Sequence, residues 1–207
     1  MRLFDIKNWF KKGFTAKHHG KIYLVRHGQD TDNVAGILNG HRDTSLTELG
    51  REQARQVAQK LEECDIKAIY CSPLERTNET SLIITEHLRF EYDFVHSGLI
   101  ERDFGILTGK SLADIPKYAA KILHTEKVDY FLDAKGAESF PATLRRAKRV
   151  LKDIIARHPN DNVVLVTHGD IGKMIRAAYY GWDWKKGLLT PYFDNTGVLE
   201  LSQDIPE

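Results

Sequence analysis

Two short apolar runs, each followed by a histidine and a glycine, most strongly limit what this chain can fold into. Residues 22–25 lead into Arg26-His27-Gly28, and residues 163–166 lead into Thr167-His168-Gly169. A continuous apolar run of this length is typical of a strand buried on both faces. A glycine directly after it lets the backbone turn sharply or lets a ligand approach closely. Because ligands bind beyond the carboxyl ends of strands in open α/β sheets, this pattern places a site at one sheet edge.

Segments with helical periodicity separate the apolar runs. The pattern predicts helices that begin near Thr47, Ser72-Pro73, Ser139 and residue 170, and further strands at 66–71, 92–96 and 196–201. Residues 31–45 are predicted as a loop, and 98–138 as irregular chain with a short helix near 111–123. The alternation of strands and helices predicts an α/β fold, a three-layer α/β/α sandwich with a mostly parallel central sheet.

The first residues differ in charge from the rest of the chain. Residues 1–21 contain six Lys or Arg and one acidic residue, whereas the 207-residue chain has a net charge of only +1. We therefore predict a basic amphipathic extension at 1–20, followed by a single domain at 21–207. The extension is expected to pack on that domain, and weak docking to an anionic membrane surface or to a partner is the alternative.

Composition limits the classes of partner and the cellular compartment that can be expected. The near-zero net charge gives no reason to expect a nucleic acid partner. The two cysteines, Cys64 and Cys71, are too few for a disulfide scaffold. No apolar run is long enough to span a bilayer, and the first residues lack the pattern of a signal peptide. We expect a cytoplasmic protein, and the sequence leaves its oligomeric state open.

Charged and polar side chains follow three of the predicted strands. They are Arg26-His27, then Ser72 with Arg76 one helical turn later, and His168. Each residue taken singly has an ordinary structural explanation, but the set is harder to explain in that way. Two arginines and two histidines around one cleft suit a phosphate dianion, since guanidinium groups offer forked donors to its oxygens.

A metal site is the main competing interpretation. It would draw on His27, Asp30, His41, His168 and Asp170. Arg26 and Arg76 lie at the same predicted edge, and their charges would repel a cation. We therefore expect neither a metal ion nor a cofactor, and the sequence carries no P-loop, dinucleotide fingerprint or G-x-S-x-G motif.

The motifs together resemble those of the phosphoglycerate mutase-like histidine phosphatases. The matching residues follow the family order over 21 to about 201. They are Arg26-His27-Gly28 with Asn33; Gly40, Asp43, Leu46-Thr47-Glu48 and Gly50; Ser72-Pro73-Leu74 with Arg76 and Thr80; Glu101-Arg102-Asp103-Phe104-Gly105; Glu138-Ser139; and Val166-Thr167-His168-Gly169.

The resemblance implies a role for each site residue. His27 would attack phosphorus and carry a phosphohistidine. Arg26, Arg76 and His168 would hold the phosphoryl oxygens, with added hydrogen bonds from Asn33 and the backbone of Gly169. Glu101 would protonate the leaving oxygen and then activate water, which requires a raised pKa. Arg102 is expected to meet a second anionic group on the substrate, and Arg42 is a further candidate for that contact.

Asp30 departs from the family pattern, which usually has Ser or Thr two residues beyond the motif glycine. Because a phosphate would repel a carboxylate, we expect Asp30 to turn away onto an arginine or to pair with a cationic group of the substrate.

The segment 110–138 favours a phosphatase over a mutase. Similar mutases carry a longer basic insertion there that encloses a second phosphate, whereas this stretch is short and balanced in charge. Water should therefore reach the phosphohistidine. The substrate is expected to be a small phosphorylated molecule or a phosphoprotein, with Tyr118, Tyr130 and Phe131 as candidate pocket residues.

Two alternatives stay open at this point. One is phosphotransfer of the phosphoglycerate mutase type. The other is a weakly catalytic module that only recognises a phosphorylated partner. Asp30 is the one residue that favours this alternative.

Overall fold

The central sheet is assembled from strands that are far apart in sequence. The computed structural model describes residues 20–91 and 94–202. In chain order the strands are β1 (Ile22–Arg26), β2 (Ile66–Cys71), β3 (Phe94–Val95), β4 (Ile122–His124), β5 (Asp129–Phe131), β6 (Asn162–Thr167) and β7 (Val198–Leu201). The large sheet has the order β3-β2-β6-β1-β7. Four of its strands are parallel, and β7 runs antiparallel to β1.

Helices cover both faces of this sheet. They are α1 (Thr31–Ala35), α2 (Glu48–Leu61), α3 (Glu75–Leu88), α4 (Ile115–Tyr118), α5 (Phe140–Arg157), α6 (Gly169–Tyr179) and α7 (Trp184–Leu188). Successive strand residues point to opposite faces. Tyr23 and Val25 accordingly pack in one core with α2 and α3, while Ile22 and Leu24 pack in the other with α5 and α6. The predicted three-layer α/β/α sandwich with a mostly parallel sheet is confirmed.

Several predicted segments differ in detail from the structure. The predicted loop at 31–45 contains α1, because the Asp30 side chain caps its first turn and Gly36 ends it with a positive φ of 66°. Helix α3 begins at Glu75 rather than at Ser72-Pro73, with Leu74 as its N-cap. The segment 98–138, predicted as irregular, contains the small antiparallel hairpin β4–β5.

The predicted extension at 1–20 lies almost wholly outside the described residues, so its boundary and its docking role stay predictions. Within the residues that the structure describes, no helix combines the length and the apolar character needed to cross a membrane.

Candidate active site

The register between β1 and β6 places the two histidines side by side. Arg26 is the Cα partner of Thr167 in this parallel pair, so the next residues, His27 and His168, leave the sheet together. Their ring centroids are 5.2 Å apart. Both side chains are buried. The sheet therefore brings both predicted histidines to one edge.

The His27 ring has a defined proton arrangement. Its Nδ1 lies 2.7 Å from the carbonyl oxygen of Gly28. A carbonyl only accepts hydrogen bonds, so Nδ1 carries the proton and Nε2 keeps its lone pair. Burial lowers the pKa of His27 well below its usual value, and the charges of Arg76 and Arg26 lower it further. His27 is thus a neutral imidazole with a free Nε2.

The residue after His27, Gly28, has no room for a side chain. A Cβ atom on Gly28 would clash with the backbone of Gly50, at the start of α2. The glycine is thus explained by the close approach of two backbone segments.

Two guanidinium groups flank the histidines, and each donates only two hydrogen bonds within the described residues. Arg76 donates from Nη1 to the carbonyl of Arg42 at 2.7 Å and from Nη2 to that of Gly40 at 3.0 Å. Arg26 donates from Nη1 to the hydroxyl of Tyr192 at 2.6 Å and to the carbonyl of Phe193 at 2.9 Å. In both arginines the Nε atom is buried and makes no hydrogen bond to the part of the chain that the structure describes. Fixed cations with unused donors are suited to an oxyanion.

Glu101 lies at the amino-terminal end of α6. Its carboxylate accepts hydrogen bonds from the N–H groups of Arg102 at 2.8 Å, Ile171 at 3.1 Å and Asp170 at 3.3 Å. Burial raises the pKa of Glu101, and the neighbouring Asp170 carboxylate adds to this effect. These two causes outweigh the backbone donors, which act in the opposite direction. A carboxyl group with a raised pKa can deliver a proton near neutral pH.

Gly169 lies between Glu101 and Arg26. A Cβ built on Gly169 would lie 3.8 Å from Glu101 Oε2 and 3.9 Å from Arg26 Cζ. The absence of a side chain leaves the start of α6 open between the carboxyl group and the guanidinium group. Helix N-termini of this kind attract anions.

Asp30 has turned onto an arginine, which is the first of the two outcomes expected for it. Its Oδ2 lies 3.5 Å from Arg76 Nε and accepts a hydrogen bond from Asn39 Nδ2 at 2.8 Å. Its Oδ1 accepts from the backbone N–H of Asn33 at 2.7 Å. The carboxylate therefore caps α1 and partly neutralises one of the two site cations.

Arg102 is held within the protein. Its Nε donates to Asp170 Oδ2 at 2.7 Å, and its Nη1 donates to the carbonyl of Glu138 at 3.3 Å. Its guanidinium carbon lies 4.1 Å and 4.2 Å from the ring centroids of Phe131 and Phe140. The residue lines the cavity. Direct contact with substrate stays a prediction, but these internal partners offer a different role, the support of Asp170 beside Glu101.

Arg42, the other arginine expected to meet substrate, is likewise paired within the protein. Its Nε donates at 2.7 Å to Oδ2 of Asp32, a buried residue of α1.

The predicted site residues other than His168, which lies fully buried behind them, line a cavity of about 260 Å³. Tyr130 and Phe131 line it as expected, whereas Tyr118 is 38% exposed and does not. Its lining residues include Arg26, His27, Asn33, Arg76, Glu101 and Gly169. In residues 20–91 and 94–202, no three His, Cys, Asp or Glu side chains converge in an arrangement that would hold a metal ion.

Two residues of the site could not be identified from the sequence. Asn195 donates from Nδ2 to the carbonyl of His27 at 3.0 Å and to Asn33 Oδ1 at 2.9 Å. Tyr192 accepts the hydrogen bond from Arg26. Both lie in irregular chain before β7, where no periodicity marks them, and they reach the site only because β7 returns beside β1.

Comparison with known proteins agrees with this geometry. The family described as the histidine phosphatase superfamily (branch 1) matches residues 22–204. Phosphoserine phosphatase 1 of Hydrogenobacter thermophilus is 32% identical over 167 residues, which are 80% of this chain and 79% of that protein. The metal-independent phosphoserine phosphatase of Arabidopsis thaliana is 33% identical over 164 residues, 77% of this chain and 67% of that protein.

A solved structure shows the same fold. Mycobacterial glucosyl-3-phosphoglycerate phosphatase in complex with VO3 superposes with a TM-score of 0.76 at 24% identity, covering 88% of this chain and 91% of that one. The family match spans nearly the whole described part of the chain and includes every residue of the site built above. This chain therefore belongs to the histidine phosphatase superfamily, branch 1.

Proposed function

We propose that this histidine phosphatase hydrolyses small phosphomonoesters through a phosphohistidine on His27. The observation that carries the proposal is the state of the His27 ring, which is neutral, fixed through Nδ1 to the Gly28 carbonyl and placed with Nε2 free. A nucleophile in this state needs no separate base to remove a proton.

In the first step the lone pair on Nε2 of His27 attacks phosphorus, and the bond from phosphorus to the ester oxygen breaks. Glu101, in its protonated form, gives its proton to the departing oxygen, so the alcohol leaves neutral. Arg26, whose Nε makes no hydrogen bond within the described residues, and Arg76, whose Nε lies 3.5 Å from Asp30 Oδ2, are assigned to the charge that gathers on the phosphoryl oxygens. Asn33 and the N–H of Gly169 are assigned to the same oxygens.

In the second step water attacks the phosphohistidine. Glu101, now a carboxylate, takes a proton from the water as its oxygen bonds to phosphorus. The bond to Nε2 breaks, and inorganic phosphate leaves with His27 and protonated Glu101 restored.

The cations of the cavity favour hydrolysis over mutase chemistry. Besides Arg26 and Arg76, the described residues lining the cavity include two cations, Arg102 and Lys173. Arg102 is paired with Asp170. Lys173 donates to the carbonyls of Leu188 at 2.8 Å and Thr190 at 2.7 Å, and burial lowers its pKa to about 8. A mutase must hold a second phosphate, and these cations are already engaged with the protein.

The size of the cavity supports a small substrate rather than a phosphoprotein. A volume of about 260 Å³ fits a phosphoryl group with a compact alcohol. The phosphoserine phosphatases among the relatives act on a substrate of this size. Cys64 and Cys71 form no disulfide bond, which supports the proposal of a reducing, cytoplasmic location.

The test compares the wild type with His27→Ala on p-nitrophenyl phosphate in the presence of EDTA. We expect hydrolysis by the wild type and its loss in the variant. Equal rates in the two proteins would refute a role for His27. A panel of phosphorylated metabolites, with phosphate detection, then ranks substrates, and isomerisation of a sugar-acid phosphate faster than phosphate release would indicate a mutase instead. Tight binding of phosphorylated compounds without any turnover would indicate the recognition module.

A further inference from the structure

A buried serine contacts the second histidine of the site. Ser72 Oγ lies 2.8 Å from His168 Nε2. Ser72 is the first residue after β2 and His168 the first after β6, and these two strands are parallel neighbours. Neither side chain is exposed to solvent. The contact is therefore built by the same sheet edge that forms the site.

The hydrogen bonds of Ser72 settle the direction of this contact. The backbone N–H of Leu74 donates to Ser72 Oγ at 3.3 Å, which occupies a lone pair of the hydroxyl oxygen. The hydroxyl has a single proton to donate. Within the described residues, the acceptor within reach of that proton is Nε2 of His168. The serine thus donates and the imidazole accepts.

The other nitrogen of His168 must then carry the ring proton. Burial keeps the pKa of His168 well below its usual value, with further lowering by the positive charge of Arg76, so the ring is neutral and has one N–H. When Nε2 accepts, that N–H is at Nδ1. Within residues 20–91 and 94–202, the buried Nδ1 atom has no hydrogen-bond partner. An N–H is therefore kept free beside His27.

The opposite tautomer would leave two mismatches. With the proton on Nε2, the hydroxyl proton of Ser72 would lack an acceptor, and Nδ1 would present a lone pair towards an anion. Buried polar groups without partners are costly, so this arrangement is disfavoured both before and after a phosphate binds.

We propose that Ser72 is a positioning residue that fixes the Nδ1–H tautomer of His168, so that this histidine donates a hydrogen bond to a phosphoryl oxygen. That the acceptor of this hydrogen bond is a phosphoryl oxygen rests on the proposed phosphatase function. The tautomer itself is a property of the free enzyme and can be measured without substrate.

The direct test is a long-range ¹H–¹⁵N correlation spectrum of the full chain at pH 7, with His168 assigned by the loss of its signals in His168→Gln. We expect a protonated, pyrrole-type Nδ1 and an unprotonated, pyridine-type Nε2. A protonated Nε2 in the wild type would overturn the proposal, whatever the outcome of the activity assays. Conversely, an inactive wild type with the expected spectrum would count against the phosphatase function and leave the tautomer assignment standing.

Variants connect the tautomer with catalysis. Ser72→Ala should lose the Nδ1–H signature and lower kcat about 10- to 100-fold with a smaller change in KM, because the lost donor acts on charge in the transition state. Ser72→Thr keeps the hydroxyl and should restore both readouts. Thr167→Val is the matched control, since it removes a neighbouring buried hydroxyl that donates to the carbonyl of Leu99 rather than to a histidine. An unchanged His168 spectrum in Ser72→Ala, or the same spectral change in Thr167→Val, would contradict the proposal.

Discussion

The carboxylate of Asp30 lies 3.5 Å from the guanidinium Nε of Arg76, and both side chains are almost fully buried. A resident anion therefore shares the cation that a bound phosphoryl group would use. Asp30 is also tied to α1 through the N–H of Asn33 and to Asn39, so it cannot swing out without breaking these hydrogen bonds.

Removing this charge should tighten anion binding. In Asp30→Asn, Arg76 keeps its two carbonyl partners but loses its negative neighbour, so the inhibition constants of phosphate and vanadate should fall roughly tenfold. The measurement is competitive inhibition of p-nitrophenyl phosphate hydrolysis.

Asp32→Asn is the control for that experiment. It removes a carboxylate from the same short helix, but one that pairs with the half-exposed Arg42. Weaker inhibition in Asp30→Asn, or an equal gain in Asp32→Asn, would show that Asp30 does not moderate the anion site.

The two steps assigned to Glu101 can be separated with a good leaving group. In Glu101→Gln, p-nitrophenolate needs no proton to depart, so the phosphohistidine still forms, but its hydrolysis lacks a base. We expect a burst of p-nitrophenolate equal to the enzyme concentration, followed by turnover slowed about 10²- to 10⁴-fold, and a loss of similar size on alkyl phosphates without any burst. Stopped-flow absorbance measures both phases, and wild-type steady-state rates in Glu101→Gln would exclude the role.

Asp170 should set the basic limb of the pH profile. Its charge raises the pKa of Glu101. Glu101 acts first as an acid, so the rate falls as the pH rises through that pKa. Asp170→Asn keeps an oxygen acceptor for Arg102 but removes the charge, and the basic limb of kcat/KM on an alkyl phosphate should move to lower pH.

A second cavity carboxylate serves as the comparison. Asp129 lines the cavity but pairs with His124, and both side chains are largely exposed. Asp129→Asn should therefore leave the basic limb of the pH profile in place. A limb unmoved in Asp170→Asn, or moved equally in both variants, would contradict the assignment.

The buried ion pair of Arg102 and Asp170 should contribute more to stability than the partly exposed pair of Arg42 and Asp32. Arg102→Ala leaves the Asp170 carboxylate without its partner and removes packing against two phenylalanine rings, so the free energy of unfolding should fall by about 3–5 kcal/mol. Arg42→Ala breaks the partly exposed pair with Asp32 and should change the free energy of unfolding little. Urea denaturation of both variants checks this, and equal losses would mean that burial of the pair is not the cause.

The strand ends were predictable because their signals are local. A strand buried on both faces is mostly apolar, so the polar residues that follow residues 22–25 and 163–166 were conspicuous in the sequence. The family motifs then pointed to Arg76 and Glu101, which the structure brings to the same cavity.

Other features depended on contacts between distant parts of the chain. Asn195 reaches His27 only through the antiparallel return of β7, and the bond from Ser72 to His168 depends on the pairing of β2 with β6. The hairpin β4–β5 lies in a segment whose short strands are only three residues long, too short for an alternating pattern to show.

A covalent phosphoenzyme on His27 is tested most directly by rapid acid-free quenching of the enzyme mixed with ³²P-labelled p-nitrophenyl phosphate, whose leaving group needs no proton. We expect alkali-stable, acid-labile label approaching one phosphate per chain in Glu101→Gln, located on Nε2 of His27 and absent from the double variant with His27→Ala. Hydrolysis without any labelled protein in Glu101→Gln, or label that persists when His27 is replaced, would contradict it.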